Sequence, residues 1–302
     1  MEEVDVLFRS ATCITMVDSR PTCRGQVAIK DGKIYAVGSD LNYDAKEVFE
    51  EDLILLPGLV DAHTHAFQIL LRGIVDQAFN VHPLWLRLLM PFEMSLTEKE
   101  ASLSVRLTVL NMIKNGVVMF LDAGGPRPDL LAEAALSAGI KGAVTYSTSD
   151  KVEGYVHDEK DGLRLAERYR GRVRGWLSIR QIMISSERLI RAVFEASREK
   201  GIPVTMHISE DHSEIQHAME RWGVRPVEYL KIMKYLTSDL VLAHAAFLSD
   251  SEVEHIASGG SSVVHCPAVN YAYMNFAKIP QMIRRGINVA MGSRSEEHTS
   301  EL

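Results

Sequence analysis

Four histidines carry the chemical interest of this chain. His63 and His65 form an H-x-H pair, and His207 and His244 each close a short apolar run, in VTMHISE and LVLAHAAF. Residues i and i+2 of a strand point to the same side, so His63 and His65 can address one centre. Neutral imidazole is a good ligand for Zn2+ or Fe2+, and four such rings at strand ends point to a divalent metal site. Any one of them alone reads as a core or loop residue; four at equivalent positions do not. Glu210 follows His207 by three residues. A carboxylate there can reach over a metal without ligating it and carry protons between an activated water and a leaving group. Without that neighbour it would only complement a helix dipole. His82, His157, His212, His217, His255 and His298 fall in expected loops, helices or the tail and read as ordinary residues.

The elements that must position these residues alternate in type. From Pro57 onward the apolar runs are LLPGLVDAH, VVMFLDAGG, KGAVTYST, RGWLSIRQI, PVTMHISE, LVLAHAAF, SSVVHCP and NVAMGS. Amphipathic stretches lie between them. Thr97 to Glu100 is a T-x-x-E capping box opening a helix with Leu103, Leu107 and Leu110 on one face, ended by Gly116. Ser249 to Glu252 repeats the signature and stops at Gly259, while Pro128 and Gly139 bracket a third helix. Strand–helix alternation implies a parallel sheet. Residues 57–293 come close to the ~250 residues of a (β/α)8 barrel of the TIM type, whose C-terminal strand ends build the active site. An open doubly wound sheet is the alternative. No GxGxxG or GxxxxGK[ST] stands at a strand end to support its nucleotide-binding forms. Residues 1–56 alternate apolar and polar positions around turns such as Asp31-Gly32, the period-two pattern of a small antiparallel β unit.

Composition narrows the partners. The 302 residues leave room for one large domain or two ordinary ones. Net charge is −7, with no basic run, which disfavours nucleic acid or a membrane surface. No stretch approaches the ~20 apolar residues of a membrane helix, and Met1-Glu2-Glu3 opens no secretory signal. Cys13, Cys23 and Cys266 cannot build a disulfide framework or a CxxC knuckle, so a cytoplasmic location is expected.

The stretch LPGLVDAHTHAFQILLRGIVDQ resembles the opening of the cytosine deaminase-like branch of the amidohydrolase superfamily. Within that branch it is most similar to the group of chlorotriazine hydrolases and methylthioadenosine/S-adenosylhomocysteine deaminases. HISE, LVLAHAAFLSDSE, VVHCPAVN and INVAMGS follow in that group's order, so the resemblance spans residues 54–293. The β unit before it matches part of the family's composite β-sandwich. The resemblance implies that His63, His65 and His207 ligate one divalent metal ion, Zn2+ or Fe2+. His244 would hold the attacking water or the leaving group, and Glu210 would be the general acid/base. Glu93 in MPFE would contact substrate, and His265 and Asn270 in the HCPxxN motif would shape the site mouth. The implied reaction is deamination of a small aminated heterocycle, of purine, pyrimidine or triazine type, by a metal-activated hydroxide. A cyclic-amide or dehalogenating hydrolase, or a barrel that only binds its ligand, are the alternatives. A homo-oligomer is implied for the full-length protein.

Three departures from the family pattern matter. The fourth run reads SIRQIMISS where nucleoside deaminases carry a Gly-Pro-His type motif, which points toward another amine-bearing ring. No lysine stands near Gln181 to bridge two metals, so one is favoured. After the eighth run the family pattern G-[ST]-D supplies an aspartate ligand, whereas Ser293 is followed here by Arg294. Residues 294–302 resemble the translation of a sequencing-library adapter. The expectation is a chain truncated in its eighth unit and inactive.

Overall fold

The computed structural model describes residues 2–75, 83–153, 155–272 and 276–293. The chain divides into two compact units, Met1–Gly58 and Leu59–Leu302.

The first unit is a five-stranded sheet of β1 (Glu3–Ile14), β2 (Thr22–Lys30), β3 (Lys33–Gly38), β4 (Asp44–Phe49) and β5 (Leu53–Leu55). Its order is β3-β2-β1-β4, and β5 also pairs with β1. Asp31 (φ 53°) and Gly32 (φ 67°) make the β2–β3 turn in the left-handed region that a tight hairpin requires. Val4, Leu7 and Ala28 form one small apolar cluster, and Ala11, Cys13 and Val27 another. The expected antiparallel unit is in fact mixed: β4 and β5 run parallel to β1. Period-two alternation reports that a segment is a strand, and says nothing of its partner's direction. Cys13 stands opposite Cys23 across β1 and β2, and all three cysteines are free.

In the second unit the strands are β6 (Leu59–Thr64), β7 (Val117–Asp122), β8 (Lys141–Val144), β9 (Val173–Gly175), β10 (Leu177–Ile179), β11 (Val204–Ile208), β12 (Leu240–His244), β13 (Ser262–His265) and β14 (Val289–Met291). They form two parallel sheets, β6-β7-β8-β9 and β10-β11-β12-β13-β14. Only Trp176 separates β9 from β10, so one stretch of chain edges both sheets. Beyond β14, Ser293 donates from its N–H (2.9 Å) and its hydroxyl (2.6 Å) to the Asp61 carboxyl in β6. Each apolar run of the sequence supplies a strand, and the fourth supplies two.

Helices fill the connections. They are α1 (Met90–Ser95), α2 (Glu98–Lys114), α3 (Pro128–Ala138), α4 (Glu159–Arg168), α5 (Glu187–Lys200), α6 (His212–Trp222), α7 (Pro226–Ile232), α8 (Asp250–Gly259), α9 (Pro267–Ala272) and α10 (Ile279–Arg284). Among the described residues, no helix is long and apolar enough to cross a membrane. The reciprocal boxes form as read: the Thr97 hydroxyl accepts from the Glu100 N–H, and the Glu100 carboxylate accepts from the Thr97 N–H. Ser249 and Glu252 do the same for α8. Leu103, Leu107 and Leu110, however, lie on the exposed side of α2. The buried side is Ala101, Val105, Val109 and Met112, with Ser104 and Thr108 donating to the Ala66 carbonyl at 3.2 and 2.9 Å. Small side chains let the helix approach that backbone, and their hydroxyls supply donors to its buried carbonyl.

The largest apolar cluster, including Leu177, Ile179, Val193, Leu242 and Ile256, backs the β10–β13 strands. Close approach also dictates Gly175. A Cβ there would stand 2.4 to 2.5 Å from the Leu165 carbonyl group and the Ala166 nitrogen in α4. Gly175→Ala should push α4 off β9 and lower stability by about 2 kcal/mol, the usual scale of overpacking. Chemical denaturation checks this, and an unchanged midpoint would refute so close a helix–strand contact.

Candidate active site

Because the strands of the second unit are parallel, their C-terminal ends deliver side chains to one place. His63 comes from β6, His65 directly follows it, and His207 and His244 come from the ends of β11 and β12. All four are buried, none more than 4% exposed. Ring centroids lie 4.7 Å apart for His63 and His207, 5.2 Å for His65 and His207, and 5.5 Å for His207 and His244. The Nε2 atoms of His65 and His207 are 3.1 Å apart. One ring nitrogen from each of His63, His207 and His244 lies within 4.8 Å of the other two. The close set therefore takes in His244, which the motif reading places beside the metal and not on it, and His65, read there as a ligand, is not one of its three. Burial first, then the His63 and His65 rings, hold His207 well below the usual imidazole value, leaving it neutral at pH 7.

The turns beneath these rings are strained and cross-braced. Ser209 (φ 49°), His244 (φ 70°) and Ala245 (φ 46°) all occupy the left-handed region without being glycine. Ala245 N–H donates to Ile208 O at 3.0 Å, and Ala246 and Phe247 N–H both donate to Ser209 O, at 3.1 and 3.0 Å. The turn after β12 is thereby bonded to the turn after β11.

Glu210 lies in that second turn, with Oε1 3.8 Å from His244 Nε2. On the other side of the ring, His244 Nδ1 faces Asn270 Oδ1 at 3.2 Å. An amide oxygen only accepts, so the proton sits on Nδ1 and Nε2 offers its lone pair toward Glu210. Asn270 Nδ2 in turn faces His265 Nδ1 at 3.4 Å. Asn270 is buried and His265 is half-buried, and burial pushes the His265 ring below its ordinary value. The structure thus ties Asn270 to His244, deeper than the site mouth assigned from the sequence.

Glu93 reaches the site from α1 with no exposed side-chain surface. Its carboxylate accepts from the Gln68 amide at 2.5 Å and the Tyr155 hydroxyl at 2.8 Å. Arg180, which the motif reading missed, lies 3.8 Å from the same carboxylate. Its Nη1 also donates to Gly124 O at 3.2 Å and stands 3.0 Å from His65 Nδ1. Arg180 thus meets the Nδ1 edge of His65, whose Nε2 edge faces His207. The signal was present in the sequence: SIRQI puts an arginine at the end of an apolar strand, where a buried cation needs a partner.

Two further carboxyls brace the backbone here. Asp61 accepts from the His63 N–H at 3.3 Å as well as from Ser293, and burial pushes it up to about 6. Asp122 accepts from the Gly124 N–H at 3.1 Å and the Ala66 N–H at 3.5 Å, and burial pushes it up to about 7. The adapter-like segment 294–302, with Arg294 and His298, and His82 lie outside the described residues.

The chain is similar to known proteins. A 5-methylthioadenosine/S-adenosylhomocysteine deaminase 2 from Archaeoglobus fulgidus is 32% identical over 276 residues, covering 88% of this chain and 65% of the relative. This chain therefore spans a little less than two thirds of that protein's length. An adenosine deaminase from Xanthomonas campestris with bound zinc superposes with a TM-score of 0.85 at 22% identity, over 97% of this chain and 70% of that one. A triazine hydrolase from Arthobacter aurescens gives 0.82 at 20%, over 97% and 72%. Those two structures speak for the fold, a TIM-barrel-like α/β architecture. Residues 54–302 match the amidohydrolase family, and with that share of the sequence matched the chain belongs to it.

Proposed function

We propose that this site belongs to a metal-dependent hydrolase that removes an amine from a small heterocycle. The carrying observation is the cluster of four buried imidazoles with the Glu210 carboxylate 3.8 Å from His244. The name of the Archaeoglobus relative, a deaminase, supports the same reaction class. In this reading the two parallel sheets form one (β/α)8 ring, with the Asp61–Ser293 hydrogen bonds at its seam.

The donor set fits a divalent cation such as zinc: buried, nitrogen-rich, and neutral at His207. His63, His65 and His207 would hold it, with His244 alongside. When bound, such an ion lowers the pKa of water to about 7 and polarises the carbon under attack. The remaining work belongs to side chains. Glu210 accepts a proton from the attacking water and delivers it to the departing nitrogen, which leaves as ammonia while the ring carbon keeps the oxygen. His244, its Nδ1 held by Asn270, presents Nε2 as an acceptor toward the same water. Glu93 is fixed by Gln68 and Tyr155, and a carboxylate has lone pairs beyond those two bonds to receive substrate N–H groups. His265 supports Asn270 from behind.

The test is ammonia release from a panel of amino-purines, pyrimidines, pterins and triazines. The family pattern expects a carboxylate after Ser293, so the panel is run on the chain and on Arg294→Asp, which should be the more active. Zinc-loaded protein of both forms that releases no ammonia from any of these amines would end the proposal.

Metal content gives a second prediction. His63→Ala, His65→Ala and His207→Ala should each lose most of the bound zinc by elemental analysis, because each removes a bond and the geometry. His244→Ala should lose less than His65→Ala; the reverse order would move the third ligand to His244.

Glu210→Gln should keep its metal and lose turnover by ~10²–10⁴, the range for a positioned acid/base. Loss of metal in this variant would make Glu210 a ligand instead.

A further inference from the structure

One fully buried carboxyl near the site is used by none of this chemistry. Glu214 is the third residue of α6 and has no exposed surface, yet it belongs to a helix whose outer positions are polar. Its Oε2 accepts from the Glu210 backbone N–H at 2.9 Å. The helix cap is supplied separately, by Asp211, whose carboxylate accepts from the Ser213 and Glu214 N–H groups at 2.7 and 3.1 Å. Glu214 is therefore not needed to start the helix. Its carboxyl instead reaches back to the turn, where it holds the N–H of the residue that carries the proton-transfer group.

The turn needs such an anchor. Ser209 is left-handed and already holds two N–H groups from the turn after β12 through its carbonyl. Glu210 follows it directly, so the direction of the Glu210 side chain depends on what fixes its own N–H. Burial pushes Glu214 up to about 8, with the Glu210 carboxylate adding to the rise. The Glu210 N–H, the Gln181 side chain and the Ser209 N–H pull the other way. At neutral pH the anchor is then mostly uncharged and does not set a second negative charge beside Glu210.

We propose that Glu214 is the positioning residue of the proton carrier: its buried carboxyl oxygen holds the Glu210 N–H and so sets where the Glu210 carboxylate stands relative to His244. This rests on the reading of Glu210 as the group that moves the proton. What matters is an acceptor oxygen at that place, and a glutamine supplies one too.

Two readouts test it on the whole chain, in parallel with Arg294→Asp as the active background. The first is hydrogen exchange at the Glu210 amide, which needs no substrate. It should be protected in the parent and in Glu214→Gln. In Glu214→Met, which fills the volume without an acceptor, it should exchange at least about tenfold faster, with the β11 amides of Met206 and Ile208 unchanged. The second is turnover. Glu214→Gln should stay within about threefold of the parent, and Glu214→Met should lose about 10²-fold in kcat with KM and zinc content kept, the scale for a misplaced catalytic group. An unprotected Glu210 amide in the parent overturns the inference. So does unchanged exchange in Glu214→Met, or a loss beyond tenfold in Glu214→Gln. If Glu214→Met does not fold, the parent and Glu214→Gln decide. Glu210→Gln separates the two readings: if it keeps full turnover, the proton-carrier reading falls. If it is dead while Glu214→Met is fully active, only the role of Glu214 falls.

Discussion

Four imidazole rings gathered almost out of water leave little solvent to support a charge among them. Desolvation is the largest cause holding His207 below its ordinary value. The same dry interior governs every group around the cluster. Burial pushes Asp61 and Asp122 up toward neutrality, and each is stabilised by backbone N–H groups that it receives. The cation buried there, Arg180, lies between a carboxylate, a carbonyl and an imidazole nitrogen, which satisfies a charge that would otherwise be costly to bury. Neutral, lone-pair-bearing nitrogens are also what a divalent metal requires. The packing problem and the chemical need have one solution.

Labour is divided between strands and turns. Parallel strands place the histidines, since β11 and β12 pair in a register that sets Ile208 beside His244. The groups that would move protons or meet substrate sit on less regular backbone: Glu210 in a turn, Glu93 on a six-residue helix, Asn270 just past β13. Left-handed φ values at Ser209, His244 and Ala245 cost energy that only a well-bonded surround retains. The hydrogen bonds from one turn to the next are that surround. Removing a link in this set should therefore act on geometry before it acts on global stability.

Much of the scaffold was legible without coordinates, for identifiable reasons. The Thr97–Glu100 and Ser249–Glu252 boxes, Pro128 at a helix start and Gly139 at φ 77° after it are all short-range arrangements. Their hydrogen bonds close within four or five residues, so neighbours in sequence suffice to read them. Other features were misjudged or missed. The direction of β4 and β5 depends on how the chain returns to β1, and the buried side of α2 depends on the Ala66 carbonyl it meets. The leucines at positions 103, 107 and 110 gave the stronger periodic signal, yet the smaller residues won the core because they permit closer approach.

The sequence by itself determined which segments are strands and helices, and which residues have ligand and acid–base chemistry. Periodicity, capping and side-chain type are local properties. Tertiary structure decided which of those residues meet and in what state. Arg180 finds His65 across 115 positions of chain, Asn270 finds His244 across 26, and Asp61 finds Ser293 across 232. Glu214 is only four residues from Glu210, yet its role too depends on burial, which the pattern of α6 alone does not show. Hydrogen bonds are short and directional, and desolvation acts only once water is excluded, so both appear only when the parallel strands bring distant residues to one end.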